Sequence, residues 1–294
     1  MIPTLLGRRA SGDGGGSAGR SRFAFCAAIA LLGLSLAAVG APWIAPHDPY
    51  DLARIDMLDG RLPPGSTGAS GPYWLGTDEQ GRDLLSAILY GLRVSLGIGI
   101  GSALAAAVLG TAFGLCLACA GPRLARVLAR AVDLQLAVPS ILLAMMIIAV
   151  RGKSVVNVFF ALILVEWAYY ARAAYAAAVA ELGRPYIEAT EALGVAPWRI
   201  VLQHLLPNCM PPLTVILTAQ IARAISLEAT LSFLGVGVPI TEPSLGLLIA
   251  SGSQSFFSGH YWMIIFPGLF LVLLIVSLNV MGDEISIRID GSLR

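Results

Sequence analysis

Residues 186–208 are a polar stretch between very apolar runs, and within them Glu188-Ala189, then Gly194 six residues after the glutamate, then Leu206-Pro207 have a spacing that suits contact rather than reaction. Small Ala189 lets a partner backbone come close, and Glu188 can accept a hydrogen bond from a basic or amide group there. Taken alone, Glu188 and Glu191 would be ordinary surface charges on a solvated connector. Three further ionisable residues, Glu166, Arg223 and Glu228, fall inside or at the ends of apolar runs. Charge in such a run is costly and faces a bundle interior, a partner or water. One reading puts one or more of the three along a translocation path; another pairs Arg223 with Glu228 or Glu166 to lock helices together. A spacing of five is poor for a same-face pair of Arg223 and Glu228. The lock is nonetheless the favoured role for these two, with Glu166 open.

No catalytic set accompanies them. His47, His204 and His260 are scattered singly and offer no metal cluster. Cys116 and Cys119 have C-x-x-C spacing, but with Cys26 and Cys209 they lie in or beside apolar runs, where buried cysteine acts as a small hydrophobe. There is no G-x-x-x-x-G-K-[ST] loop, and the sole lysine, Lys153, follows no such sequence, so the chain is not itself an ATPase. The expectation is a non-enzymatic protein with no cofactor and no metal. A net charge of +1 supplies no basic stripe for nucleic acid.

What positions these residues is membrane. Only 13% of the 294 residues are charged, about half the share of a soluble protein. Charge-free runs cover 23–47, 94–122, 134–150, 200–222 and 243–282, and a bilayer core needs about 20 apolar residues per helix. Lipid is therefore the expected surrounding. The fold class is all-α: a polytopic membrane protein of about six transmembrane helices, at about 23–44, 94–120, 134–150, 154–171, 212–234 and 261–281. Residues 1–22, with Gly, Ser and arginines, read as a short disordered tail before an uncleaved anchor, whose apolar part exceeds the about 7–15 residues of a signal peptide. Residues 46–93 read as an exposed loop. Near its end Thr77 and Gln80 have capping-box spacing, predicting a short interfacial helix with Leu84, Leu85, Ile88 and Leu89 on its apolar face. The glycines of the second span suit close helix packing, and Pro139 predicts a packed kink in the third.

Six spans place both termini on one side. That side, with loops 121–133 and 172–211, holds Arg8, Arg9, Arg20, Arg22, Arg123, Arg126, Arg130, Arg172, Arg184, Arg199, Arg288 and Arg294, twelve basic residues against six in the opposite loops. The bias predicts cytoplasmic termini. On the same side, 172–193 has helix-forming composition broken at Gly183-Arg184-Pro185. Gly194 supplies a position able to take positive φ. Pro197 suits the first turn of a second short helix with Ile200, Val201, His204 and Leu205 on one face, which Pro207 is expected to end. This is a rigid lever.

The spacing of Glu188-Ala189, Gly194 and Leu206-Pro207 resembles the EAA signature of ATP-binding cassette (ABC) importer permeases. Leu75 to Asp83, Asp133 with Pro139-Ser140, Tyr170-Ala171-Arg172 and Ser226 to Gly235 extend the likeness over about residues 23–294, and the chain resembles the C-type subunit of the dipeptide/oligopeptide/nickel permease family. Thr190 replaces the last alanine of the signature, Leu245 stands where tryptophan is common, and Tyr175 where a second arginine is common. The resemblance implies a type I importer permease in a bacterial inner membrane, forming half of a channel for di- or oligopeptides or a related small solute. It also implies a homologous permease subunit, two ATP-binding cassette ATPase subunits and an extracytoplasmic solute-binding protein as partners. Glu188, Ala189, Gly194 and Pro207 would then be the ATPase-coupling residues. An ion-gradient-driven secondary transporter is the alternative; it would favour internal repeats, none of which is convincing here, and it leaves the 186–208 segment unexplained. A membrane-embedded enzyme lacks a nucleophile–base set.

Overall fold

In the computed structural model, residues 14–49, 57–69 and 71–292 are described. Helix α1 (Gly14–Val39) begins inside the 1–22 tail; the rest of that tail lies outside the described residues. A short α2 (Ala41–Ile44) follows. A hairpin of β1 (Ser66–Gly68) and β2 (Gly71–Tyr73) precedes α3 (Leu84–Cys119), 36 residues long. Then come α4 (Pro122–Ala137), α5 (Ser140–Arg151), α6 (Val155–Leu182), α7 (Pro185–Ala192) and the single turn α8 (Pro197–Arg199). A π-helical turn at Ile200–Leu205 leads into α9 (Leu206–Phe233), followed by α10 (Leu245–Ser255) and α11 (Trp262–Ser292). Among the described residues five helices are long and apolar enough to cross a membrane, or six if α4 and α5 form one broken span.

Helices α3 and α6 make the most intimate pair. At Gly110 an added Cβ would strike the Trp167 carbonyl and the Tyr170 Cβ; at Gly114 it would strike the Ala171 carbonyl and the Ala174 Cβ. With little hydrophobic drive between helices in lipid, such small residues let backbones touch and gain van der Waals contact. Around this seam Leu92, Leu96, Ile225, Leu245 and Leu274 bury one core among α1, α3, α9, α10 and α11. Ile148, Leu162, Val165 and Leu231 bury a second among α5, α6 and α9.

Several expectations are corrected. Thr77 caps no helix: its hydroxyl donates to the Asp59 carbonyl (2.6 Å) and accepts from the Leu62 amide (2.7 Å), in a folded loop. Asp78 accepts from the amides of Gln80 and Arg82 and pairs with Arg82 Nε at 2.7 Å, closing a turn. The cap is Asp83, which accepts from the Ser86 amide at 2.9 Å, and the helix it starts runs unbroken into the second span. Leu84, Ile88 and Leu89 are therefore buried against protein rather than laid on an interface. At Pro139 the chain bends by 88°. Proline removes a backbone donor and drives the residue before it out of the α region, so the third span splits into an α4 bearing Arg123, Arg126 and Arg130 on exposed positions and an α5 of about 18 Å. Pro207 ends nothing. The Leu206 amide bonds back five residues to Val201, and the N–H that Pro207 lacks falls where the register returns to four, so one helix continues to Phe233. Helix α10 has no counterpart among the predicted spans.

Candidate functional site

The segment after α6 is held by its own turn chemistry. Helix α7 starts with Pro185 in its first turn and ends in a Schellman motif. The Val195 amide donates to the Thr190 carbonyl (3.4 Å), the Gly194 amide donates to the Glu191 carbonyl (2.9 Å), and Gly194 has φ +74°. Open space surrounds the position a Gly194 Cβ would take, so the requirement for glycine is conformational. Ile187, 1% exposed, anchors α7 to the bundle. Leu115, Ala174, Ala178, Leu205, Cys209 and Leu213 make a further core that joins α3, α6, the π turn and α9 beneath it.

A polar chain fastens α6, α7 and α9. The Tyr186 hydroxyl donates to Glu181 Oε2 at 2.8 Å and accepts from Asn208 Nδ2 at 3.0 Å, while Asn208 also donates to the His204 carbonyl. Arg184 pairs with Glu181 at 3.0 Å. Burial and the Glu181 carboxylate push the Tyr186 phenol above its ordinary range. These ties escaped the sequence, because nothing marks residues 22 apart as neighbours. Tyr186→Phe is expected to weaken the segment by about 1 kcal/mol, read as roughly fivefold faster amide exchange across 185–193; unchanged exchange would show that the bonds hold nothing.

On the free side stand Glu188, Ala189, Glu191 and Gly194, all exposed, with Leu193 83% and Trp198 59% exposed beside them. Glu188 has no hydrogen bond or ion pair within the chain among the described residues. Pro207 is exposed on the adjoining turn. The result is a braced knob with an uncommitted carboxylate and two projecting apolar side chains.

The three intramembrane ionisable residues do not pair with one another. Arg223 Nη2 donates to Ser140 Oγ (2.8 Å) and to the Tyr169 hydroxyl (2.7 Å), and its guanidinium lies 4.1 Å from the Tyr169 ring centroid. Glu228, fully buried, accepts from Ser95 Oγ on α3 and Ser232 Oγ on α9, both at 2.8 Å. The expected Arg223–carboxylate lock is thus replaced by two hydroxyl-mediated ties, since a helix offset of five turns the two side chains to different neighbours. Glu166 is fully buried with neither oxygen hydrogen-bonded.

A bundle with a braced knob at the end of α6 and no ATP-binding loop has the form of a membrane-embedded transporter subunit. The chain belongs to the family of binding-protein-dependent transport system inner membrane components, whose pattern matches residues 110–290. It is 36% identical over 265 residues to the di/tripeptide transport system permease protein of Pseudomonas aeruginosa, covering 90% of this chain and 86% of that one. It is 34% identical to the dipeptide transport system permease protein of Haemophilus influenzae, over 94% of this chain and 92% of that one. Its fold is similar to the inward-facing MetNI methionine ABC transporter, with a TM-score of 0.58, 22% identity, and coverage of 69% of this chain and 96% of that one. The chain is an ABC importer permease of type I fold, a multi-pass membrane protein working with ATPase subunits. Nothing favours the secondary-transporter alternative.

Proposed function

We infer that this chain forms half of the channel of a peptide importer, paired with a homologous permease, two ATPase subunits and an extracytoplasmic solute-binding protein, and that it hydrolyses no ATP itself. The observation that carries the reading is the Schellman-turned α7 with its projecting Glu188, Ala189, Leu193 and Trp198, seated by Ile187 on the bundle. A lever that cannot flex converts closure of an ATPase dimer into movement of α6 and α9, the two helices it joins. Peptide as the cargo follows from the relatives, which are di- and tripeptide permeases.

In this reading residues 46–83 face the outside and 172–211 the cytoplasm, as the arginine bias requires. Reporters fused after Arg294 or placed within 121–133 stay cytoplasmic, and one placed at 65–71 is exported; an exported C-terminal fusion would reverse the orientation. The decisive experiment is reconstitution. Purified with its partners into liposomes, the complex takes up a dipeptide only with ATP and the binding protein. Uptake by this chain alone, or driven by an ion gradient, would refute the reading.

A further inference from the structure

Arg223 lies ten residues before the end of α9, Ser140 eleven before the end of α5, and Tyr169 fourteen after the start of α6. At about 1.5 Å per residue, all three lie roughly 15–21 Å from those helix ends, near the middle of a core about 30 Å thick. There the guanidinium is partly exposed, and both its hydrogen bonds leave from Nη2 to neutral hydroxyls. An arginine has five N–H donors, so among the described residues Nε and Nη1 keep theirs uncommitted. The acid within electrostatic reach, Glu166, is wholly buried and makes neither a hydrogen bond nor an ion pair with the guanidinium.

Two further features surround this cation. Ser140 is the first residue of α5, just past the 88° break, so the helix presents its unpaired first amides and its positive end at the same depth. Discontinuous helices at the midplane point such ends at anionic groups of substrates in other transporters. Along α9, Ser226 and Thr230 continue the face of Arg223 at spacings of three and four; neither is buried, and their hydroxyls are bonded back to the Ala222 and Ser226 carbonyls. A stripe of arginine, serine and threonine suits a water-filled path, whereas a lipid face would be apolar.

The geometry points to a carboxylate subsite at mid-membrane: Arg223, steadied by Ser140 and Tyr169 at the mouth of α5, receives the C-terminal carboxylate of a peptide in transit. This rests on the peptide reading above. The subsite supplies the counter-charge that a peptide's end loses on leaving water, and two free guanidinium nitrogens hold it without trapping it.

The test uses the full complex in liposomes, with the four native cysteines replaced by alanine and Arg223→Cys added. Uptake of dialanine is expected to fall at least tenfold. Treatment with 2-aminoethyl methanethiosulfonate, which restores a positive charge, recovers at least a third of it, and the neutral methyl reagent does not. With the binding protein saturated by each compound, the parent complex moves dialanine at least tenfold faster than dialanine amide, and the uncharged variant loses that preference. Absence of labelling, equal recovery with both reagents, recovery with neither, or no preference for the acid overturns the subsite. If Arg223→Cys fails to accumulate, Arg223→Lys is expected to keep the preference with three- to tenfold slower uptake, and loss of the preference there overturns it equally. A parent complex that ignores dialanine but imports another solute refutes the peptide reading instead, and charge rescue is then scored on that solute.

Discussion

Gly194→Val is expected to abolish ATP-driven uptake while leaving the protein at normal abundance in the membrane. Gly194 sits at φ +74° in the turn between α7 and α8. For an L-residue that conformation costs about 1–2 kcal/mol, and a β-branched side chain is a still rarer occupant. The turn's two hydrogen bonds, from the amides of Gly194 and Val195, depend on it. Relaxing the turn swings α8 and Trp198 away from Glu188 and Ala189, so the knob loses its shape although the spans remain intact. Because open space surrounds the position of the missing Cβ, Gly194→Ala carries only the backbone cost and should retain much of the uptake. The measurements are uptake in vesicles at matched protein level and co-purification of the ATPase subunits. Wild-type uptake by the valine variant would reduce the segment to a connector.

Gly110→Leu is expected to lower membrane abundance at least tenfold. Its side chain would be driven into the Trp167 carbonyl and the Tyr170 Cβ. Those are backbone or backbone-attached atoms, which yield only if α3 and α6 separate. Overpacking of a sound core typically costs about 1–3 kcal/mol, and here the seam has no flexible side chain to give way. Gly97→Leu on the same helix is the control, because nothing lies within 4 Å of its added Cβ; it should accumulate normally. Equal abundance of the two variants, read by immunoblot of washed membranes, would show that the seam tolerates separation.

The lever was legible because its determinants are local. Pro185 and Pro197 each open a helix and Gly194 turns the chain, and each acts through its own φ or its missing N–H, which no distant residue can override cheaply. The apolar runs were equally legible, since burial in lipid depends on composition over about 20 residues. At Pro139 a sequence shows only that a donor is missing, and the packing of α5 against α6 and α9 sets a bend of 88° instead of a mild kink. Pro207 is the converse case, because the π turn before it absorbs the missing bond and the helix continues.

The amino-acid sequence by itself therefore determined the class of protein, the apolar character of its membrane-crossing runs and the place of the turn that follows Glu188 and Ala189. The tertiary structure alone decided which polar groups meet. Arg223 finds Ser140 and Tyr169, 83 and 54 residues away, Glu228 finds Ser95 at 133, and Asn208 finds Tyr186 at 22. Helical periodicity says which face a residue occupies but carries no information about which helix stands opposite. That is set by the close approach of backbones at Gly110 and Gly114, where steric fit between whole helices selects one arrangement.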